Sequence, residues 1–258
     1  MSAKPEKPFS EVVIPLVREV GELVSPYFGN PGIIKNKSDS AADAVTELDK
    51  QAERLYAERL HDAYPSIGFY GEEFGGDTDS ERYWLVDPID GTGHFIRGLP
   101  FCSTMISLIQ ENQPVFAVIY SFIQKDLYVA ERGKGATKNG TKIHVSDRSL
   151  KRAYIFHEIN FNHRKNIATF LELEQHAILV ETISAGFEHA QVADGKMDGR
   201  ICLNAFGKNY DYAPGSLLVE EAGGIVRNIG SDTYDFNNHS FIAANSRVYQ
   251  DLRNLGVV

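Results

Sequence analysis

An α+β chain whose second half turns α/β is what this sequence predicts, and three observations predict it. Two stretches of helical periodicity come first, a run of short β-rich segments follows, and β-rich and helical segments then alternate. We place a division near residue 146, giving an N-terminal α+β subdomain over 1–146 and a C-terminal α/β subdomain over 147–258.

From Phe9 to Phe28, Val12, Val13, Leu16, Val17, Val20, Leu23 and Val24 recur at three- and four-residue spacings, as on one face of a helix. Pro15 falls near the first turn of that helix or kinks it. Polar residues 35–43 lead to a second helix near 46–63, with Leu48, Ala52, Leu55, Ala57 and Leu60 as its apolar stripe and Pro65 as its stop. Residues 67–70, 83–86, 103–109, 115–122 and 126–131 are short, rich in β-branched or aromatic side chains and separated by turn formers, which predicts a mostly antiparallel sheet. Gly133-Lys134-Gly135 through Asn139-Gly140 lacks the ending of a phosphate-binding loop and reads as a turn-rich hairpin. Beyond it we expect strands near 154–157, 177–183, 199–203, 225–227 and 241–244. Helices are expected after His163, near 186–193, over 211–222 and near 247–255.

Composition narrows the function. Of 258 residues, 43% are hydrophobic and 24% charged, which excludes disordered and collagen-like chains. The net charge of -9, with no basic run, argues against a nucleic-acid partner, and an acidic protein that handles an anion needs a bound cation. Cys102 and Cys202 each stand among apolar neighbours, as buried thiols of a reducing compartment do. Residues 1–8 are too polar for a signal peptide, and no stretch approaches the roughly 18 apolar residues of a membrane span. A cytoplasmic protein with no membrane partner is the expectation.

Chemistry concentrates in Trp84-Leu85-Val86-Asp87-Pro88-Ile89-Asp90-Gly91-Thr92. An apolar strand ends by placing two acids on a tight turn, where both carboxylates can face one point and serve a hard divalent cation. The amides of Gly91, Thr92 and Gly93 offer donors to an oxyanion. Upstream, Glu72 and Glu73 follow a strand, and one can be a ligand while the other orients it. Downstream, Asp211 opens an apolar helix, where it can cap, coordinate, or do both. Asp49 sits in the first turn of the second helix, a place where capping alone would explain it. Asp77, Asp79 and Glu81 lack the later residues of a calcium loop, His157, His163 and His176 have no ligand spacing, and no serine-hydrolase elbow occurs.

Gly71-Glu72-Glu73, Asp87-Pro88-Ile89-Asp90-Gly91-Thr92, and Asp211-Tyr212-Ala213-Pro214-Gly215 closed by Glu221-Ala222-Gly223-Gly224 together resemble the inositol monophosphatase family of magnesium-dependent, lithium-sensitive phosphatases. The resemblance runs from Asp43-Ala44-Val45-Thr46 to Ala244-Asn245. It implies the layered αβαβα sandwich shared with fructose bisphosphatases. It also implies two or three Mg2+ ions held by Glu72, Asp87, the Ile89 carbonyl, Asp90 and Asp211, with Glu73 behind them. Thr92 and Asp49 would position or deprotonate the attacking water, and the amides of Gly91 and Thr92 would hold phosphate. Most metal ligands then lie in the first subdomain, and the second adds Asp211 and substrate contacts. A homodimer and a small phosphorylated metabolite are the implied partners.

The leaving-group side departs from the family's pattern. Ile183-Ser184-Ala185 stands where Gly-Ser/Thr-Ala is common, Asn204 where a glutamate is usual, and Tyr210 where tryptophan is usual; Lys35 or Lys37 would be the basic residue before Asp43. Ser184, Ala185, Asn204, Asp90 and Asp211 are the expected substrate contacts. Inositol monophosphate is the first substrate choice. Histidinol phosphate, fructose bisphosphate and phosphoadenosine phosphate are alternatives, as is a non-catalytic member that works by binding.

Overall fold

The structure, a computed structural model, describes residues 7–29 and 47–258. Asp43, Thr46, Lys35 and Lys37 lie outside the described residues. The first helix, α1 (Phe9–Val24), carries Pro15 within it and gives way to a short 3-10 turn over Ser25–Tyr27, earlier than the apolar periodicity suggests. Pro26 explains the early end, because it lacks the N–H that a continuing α-helix needs. Next comes α2 (Glu47–Ala63).

Eight strands follow in one sheet: β1 (Gly68–Gly71), β2 (Gly75–Gly76), β3 (Arg82–Asp90), β4 (Ser103–Gln110), β5 (Gln113–Ser121), β6 (Asp126–Glu131), β7 (Gly135–Lys138) and β8 (Thr141–Lys142). Their order is β2-β1-β3-β4-β5-β6-β7-β8, and every neighbouring pair is antiparallel except β1 and β3. The Gly133–Gly140 stretch forms the β6–β7–β8 turns. A five-residue helix, α3 (Thr92–Ile96), leaves β3.

The remaining elements are β9 (Tyr154–Ile159), α4 (Arg164–Glu174), β10 (Ile178–Glu181), α5 (Ala185–Ala193), β11 (Gly199–Leu203), α6 (Asn209–Glu221), β12 (Ile225–Asn228), β13 (Phe241–Ala244) and α7 (Ser246–Asn254). They build a five-stranded sheet ordered β10-β9-β11-β13-β12, with β10, β9 and β11 mutually parallel and β13 and β12 antiparallel.

Three apolar clusters set the layers. Val13, Val17, Val20, Ala52, Tyr56 and Leu60 of α1 and α2 pack on Trp84, Val86, Ile106, Phe116 and Val118. The opposite face of the same sheet presents Met105, Ala117 and Ile119 to α5 and α6, whose far side meets Val226, Phe241 and Ala243. Ile155, Ile201, Ile242 and Ala244 then meet Leu173 of α4 and Val248 and Leu252 of α7. Successive residues of β5 alternate between the first two clusters, as the strand pleat requires. The outcome is an αβαβα sandwich with α5 and α6 as its middle layer. Strands covered on both faces read as continuous apolar runs, which is why β3 is buried from Tyr83 to Asp90. Cys102 and Cys202 are both buried free thiols. Among the described residues, no helix is long and apolar enough to cross a membrane.

Candidate active site

The two acids of Asp87-Pro88-Ile89-Asp90 lie inside β3, not on a turn beyond it as the sequence suggests. Side chains three apart on a regular strand point to opposite faces. Here Asp87 pairs with Met105 but Asp90 with Ser103, so one extra residue is accommodated at the Pro88–Ile89 step. That bulge returns Asp90 to the face of Asp87, and Pro88, having no N–H, leaves no ladder donor unmet. Asp211 approaches from α6, and ligand oxygens of Asp87, Asp90 and Asp211 all lie within 4.8 Å of one another.

Asp90 and Asp211 are held by backbone amides. Asp90 Oδ1 accepts the Ala185 amide at 3.1 Å, while its Oδ2 accepts the Gly186 amide at 2.9 Å and Ser103 Oγ at 3.1 Å. Asp211 is the third residue of α6, not the residue that precedes the helix. Its Oδ2 accepts the Lys208 amide at 2.5 Å, so it ties down the residue before α6 and still faces the other acids. Glu72 shares a hydrogen bond with Asp87. Asp49 is buried on α2 and near enough to raise the Glu72 carboxyl.

The turn after Asp90 is shaped for α3. Gly91 sits at φ +76°, and a Cβ there would meet the Phe101 carbonyl oxygen at 2.5 Å. Only glycine fits both conditions. Thr92 Oγ1 donates to the Ile89 carbonyl at 2.8 Å, so two residues expected at the metal and the water touch one another. Ser184 is buried and its Cβ lies 3.1 Å from where a Gly91 side chain would begin. Asn204 has a left-handed backbone, and its Oδ1 accepts from Asn166 Nδ2 of α4 at 3.1 Å. Tyr210 is partly buried, and burial followed by Glu72 and Asp211 pushes its phenol up.

Burial raises all four carboxyls, and in Glu72, Asp87 and Asp211 the neighbouring acids add to it. Burial first, then Asp49, Glu73 and Asp90, raise Glu72 to about 8 against the hydrogen bond from Asp87. Burial, Asp90 and Glu72 raise Asp211 to about 8 against the Lys208 amide. Asp87 is pushed well above the carboxylate range by burial, Glu72, Asp90 and Asp211. Burial also raises Asp90, with the Gly186 amide and Ser103 opposing it. A cation removes this repulsion, and Asp87 Oδ1 is a buried oxygen without a hydrogen-bond partner, as a ligand atom would be. All the donors are hard oxygens, the set that Mg2+ takes.

Four charged residues of the surroundings escape the sequence reading. Glu53 of α2 is fully buried, and its carboxylate accepts the Glu73 amide at 2.7 Å and the Phe74 amide at 3.0 Å. It clamps the turn that carries Glu72, and a Cβ on Gly71 would lie 2.1 Å from its carboxyl. The available signal was its position one turn after Asp49 on the same helix face. Glu158, Glu188 and Arg200 form a second buried set, for which the signal was a lone arginine inside the apolar strand Gly199-Arg200-Ile201-Cys202-Leu203.

Fold and acid cluster together are those of a family of phosphatases. A model of the inositol monophosphatase family matches residues 6–255, and the chain belongs to that family. It is 33% identical to inositol monophosphatase 2 of Solanum lycopersicum, over 93% of this chain and 94% of that one. It is 30% identical to the Nus factor SuhB of Escherichia coli K12, over 93% and 92%. Among solved structures, the extragenic suppressor protein SuhB of Bartonella henselae matches with a TM-score of 0.86 at 28% identity, covering 96% of this chain and 97% of that one. An inositol monophosphatase of Thermotoga maritima matches with a TM-score of 0.84 at 25% identity, covering 95% of each.

Proposed function

We propose that the chain is a Mg2+-dependent phosphomonoesterase acting on a small sugar or polyol phosphate, with inositol monophosphate as the first candidate. The observation that carries this reading is the convergence of Asp87, Asp90 and Asp211 within 4.8 Å. Glu72, Asp87, Asp90, Asp211 and the Ile89 carbonyl would hold two or three ions, and Glu73 steadies Glu72 through the turn that Glu53 clamps. Magnesium bound there supplies Lewis-acid activation of water and neutralises charge on the phosphate and the leaving oxygen.

The chain's own groups orient the reaction. Thr92 Oγ1 donates its hydrogen to the Ile89 carbonyl, which leaves its lone pairs to accept a hydrogen bond from the attacking water and orient it. Asp49, buried on α2 and close enough to act on Glu72, is the carboxylate that would take the water's proton. The amides of Gly91 and Thr92 precede the internal hydrogen bonds of α3 and hold the phosphate oxygens. Ser184, Ala185, Asn204, Asp90 and Asp211 border the leaving alcohol. Asn204 offers a neutral amide in place of a carboxylate, so sugar and polyol phosphates other than inositol monophosphate stay in the substrate set.

A homodimer in the cytoplasm belongs to the same reading. Tyr154, Phe161, Ile167, Leu171 and Ile178 are exposed on β9, α4, the edge strand β10 and the loop between β9 and α4, an apolar face that a second copy would cover. Light scattering of the purified chain tests it. The name Nus factor borne by a relative favours, as a second reading, a protein that works by binding a larger assembly. The complete acid set supports the enzyme, because a binding module gains nothing from four mutually repelling carboxyls.

The test is phosphate release from inositol phosphate, histidinol phosphate, fructose bisphosphate and phosphoadenosine phosphate, with and without Mg2+, beside an Asp90→Asn control. Turnover that needs Mg2+ and is lost in the control supports the enzyme. No release from folded, metal-loaded protein would move the balance to the binding role.

A further inference from the structure

We infer that Arg200 is a positioning residue: by bridging Glu188 and Glu158 it joins the support of Asp90 to the support of Asp211 and keeps the two carboxylates at cation-binding separation. The inference rests on the metal-dependent reading above. Its basis is a continuous chain of contacts through the middle of the sandwich.

On one side, Glu188 of α5 is fully buried. Its Oε1 accepts Thr182 Oγ1 at 2.8 Å and the Ile183 amide, and its Oε2 accepts Arg200 Nε at 2.5 Å. The segment so held leads directly into Ala185 and Gly186, whose amides grip Asp90. On the other side, Arg200 Nη2 donates to Glu158 Oε2 at 2.6 Å. Glu158 Oε1 accepts the Phe206 amide at 2.8 Å, the Gly207 amide at 3.1 Å and Tyr212 Oη at 3.1 Å. This second segment leads into Lys208, whose amide grips Asp211. Arg200 itself is fully buried, with its guanidinium 5.3 Å from the Tyr212 ring centre and 5.8 Å from that of Phe241.

A buried ionic set of this kind is a poor way to gain stability, since apolar side chains of equal volume serve as well. What apolar side chains lack is the capacity to hold the Ile183, Phe206 and Gly207 amides in fixed directions. The guanidinium fork reaches two carboxylates at once, whereas an ammonium group is a single point of charge. Lysine at position 200 would keep the positive charge and lose the bridge.

The test is calorimetric titration of the metal-stripped full chain with MgCl2, for wild type, Arg200→Lys, Glu188→Gln and Glu158→Gln. Arg148→Lys, which alters a separate ion pair to Asp198, is the control. Arg200→Lys should weaken Mg2+ binding about tenfold or more with an unchanged circular dichroism spectrum, as loss of a ligand's support does, while the control stays within about twofold. Phosphate release by the variant should recover at high Mg2+, which a general loss of structure would not allow. Folded Arg200→Lys that binds Mg2+ like wild type overturns the inference. Should that variant not fold, the nearly isosteric Glu188→Gln and Glu158→Gln decide by the same criterion. Wild type that binds no Mg2+ overturns the metal reading and this inference together. Wild-type binding with unaffected variants overturns only the inference.

Discussion

Removing one charge from the acid cluster should make the metal-free protein more stable while it destroys metal binding. Asp211→Asn is the informative change, because asparagine can still accept the Lys208 amide and close the start of α6. Burial and the neighbouring acids raise the Asp211 carboxyl from 3.8 to about 8. Between those two values the folded chain keeps a proton that the unfolded chain has released, so stability falls as pH rises through that window and levels off above it. At about 1.4 kcal/mol for each tenfold step in acidity, the whole interval corresponds to an upper bound of roughly 6 kcal/mol. Burying the asparagine amide and the repulsion left among the other three acids reduce this, and a gain of about 1–3 kcal/mol is expected at pH 8. For a chain of this length, that is a rise of roughly 3–10 °C in Tm. Thermal unfolding in chelator at pH 5 and pH 8 measures it. The variant should exceed wild type clearly at pH 8 and little at pH 5, and added Mg2+ should raise only the wild type. A variant no more stable than wild type at pH 8, or an equal difference at both pH values, refutes the account of the cluster as a site strained by like charge.

Thr92→Val should lower kcat about a hundredfold with little change in KM, since the hydroxyl orients the water and does not set substrate affinity; steady-state phosphate release shows it, and an unchanged kcat means that the water is oriented by other groups. Gly91→Ala should cost roughly 2–4 kcal/mol in chemical unfolding, from a left-handed backbone at φ +76° and a Cβ forced against the Phe101 carbonyl. Glu53→Ala leaves the Glu73 and Phe74 amides without their acceptor and should cost about 2 kcal/mol while weakening Mg2+ binding; tight binding in the variant would show that the clamp does not set Glu72. Cys102 and Cys202 should resist a thiol reagent in native buffer and react in denaturant, because both are buried and burial pushes both thiols up.

Apolar patterning and turn residues located most of the helices and strands, because the sandwich buries one stripe of each outer helix and both faces of its central strands, but they gave no sign of the two-residue β2 or the five-residue α3. Nor did they show that β1 lies parallel to β3, since pairing direction depends on contacts distant in sequence. Glu72 and Asp211 joined the site through the family resemblance, whereas Asp87 and Asp90 were legible as a pair from their spacing around Pro and Gly. Their placement was less so: the acids read as a turn because Pro88 and Gly91 suggest one, whereas a bulge keeps the strand running through them. Glu53, Glu158 and Glu188 were illegible for a physical reason. A single glutamate in a helix or at a strand end ordinarily faces water, and only the packed structure reveals which amides it must satisfy.

The extra residue at Pro88–Ile89 also makes activity separable from architecture. Were β3 to pair with β4 without that bulge, all its residues kept, the register beyond Ile89 would slip by one and send Asp90 to the other face of the sheet while the apolar layers stayed in place. Replacing Pro88 by a residue whose N–H can join the ladder favours that smooth pairing, so one substitution would leave an intact scaffold without its acid cluster, a far shorter route to a purely binding relative than the gradual erosion of individual acids.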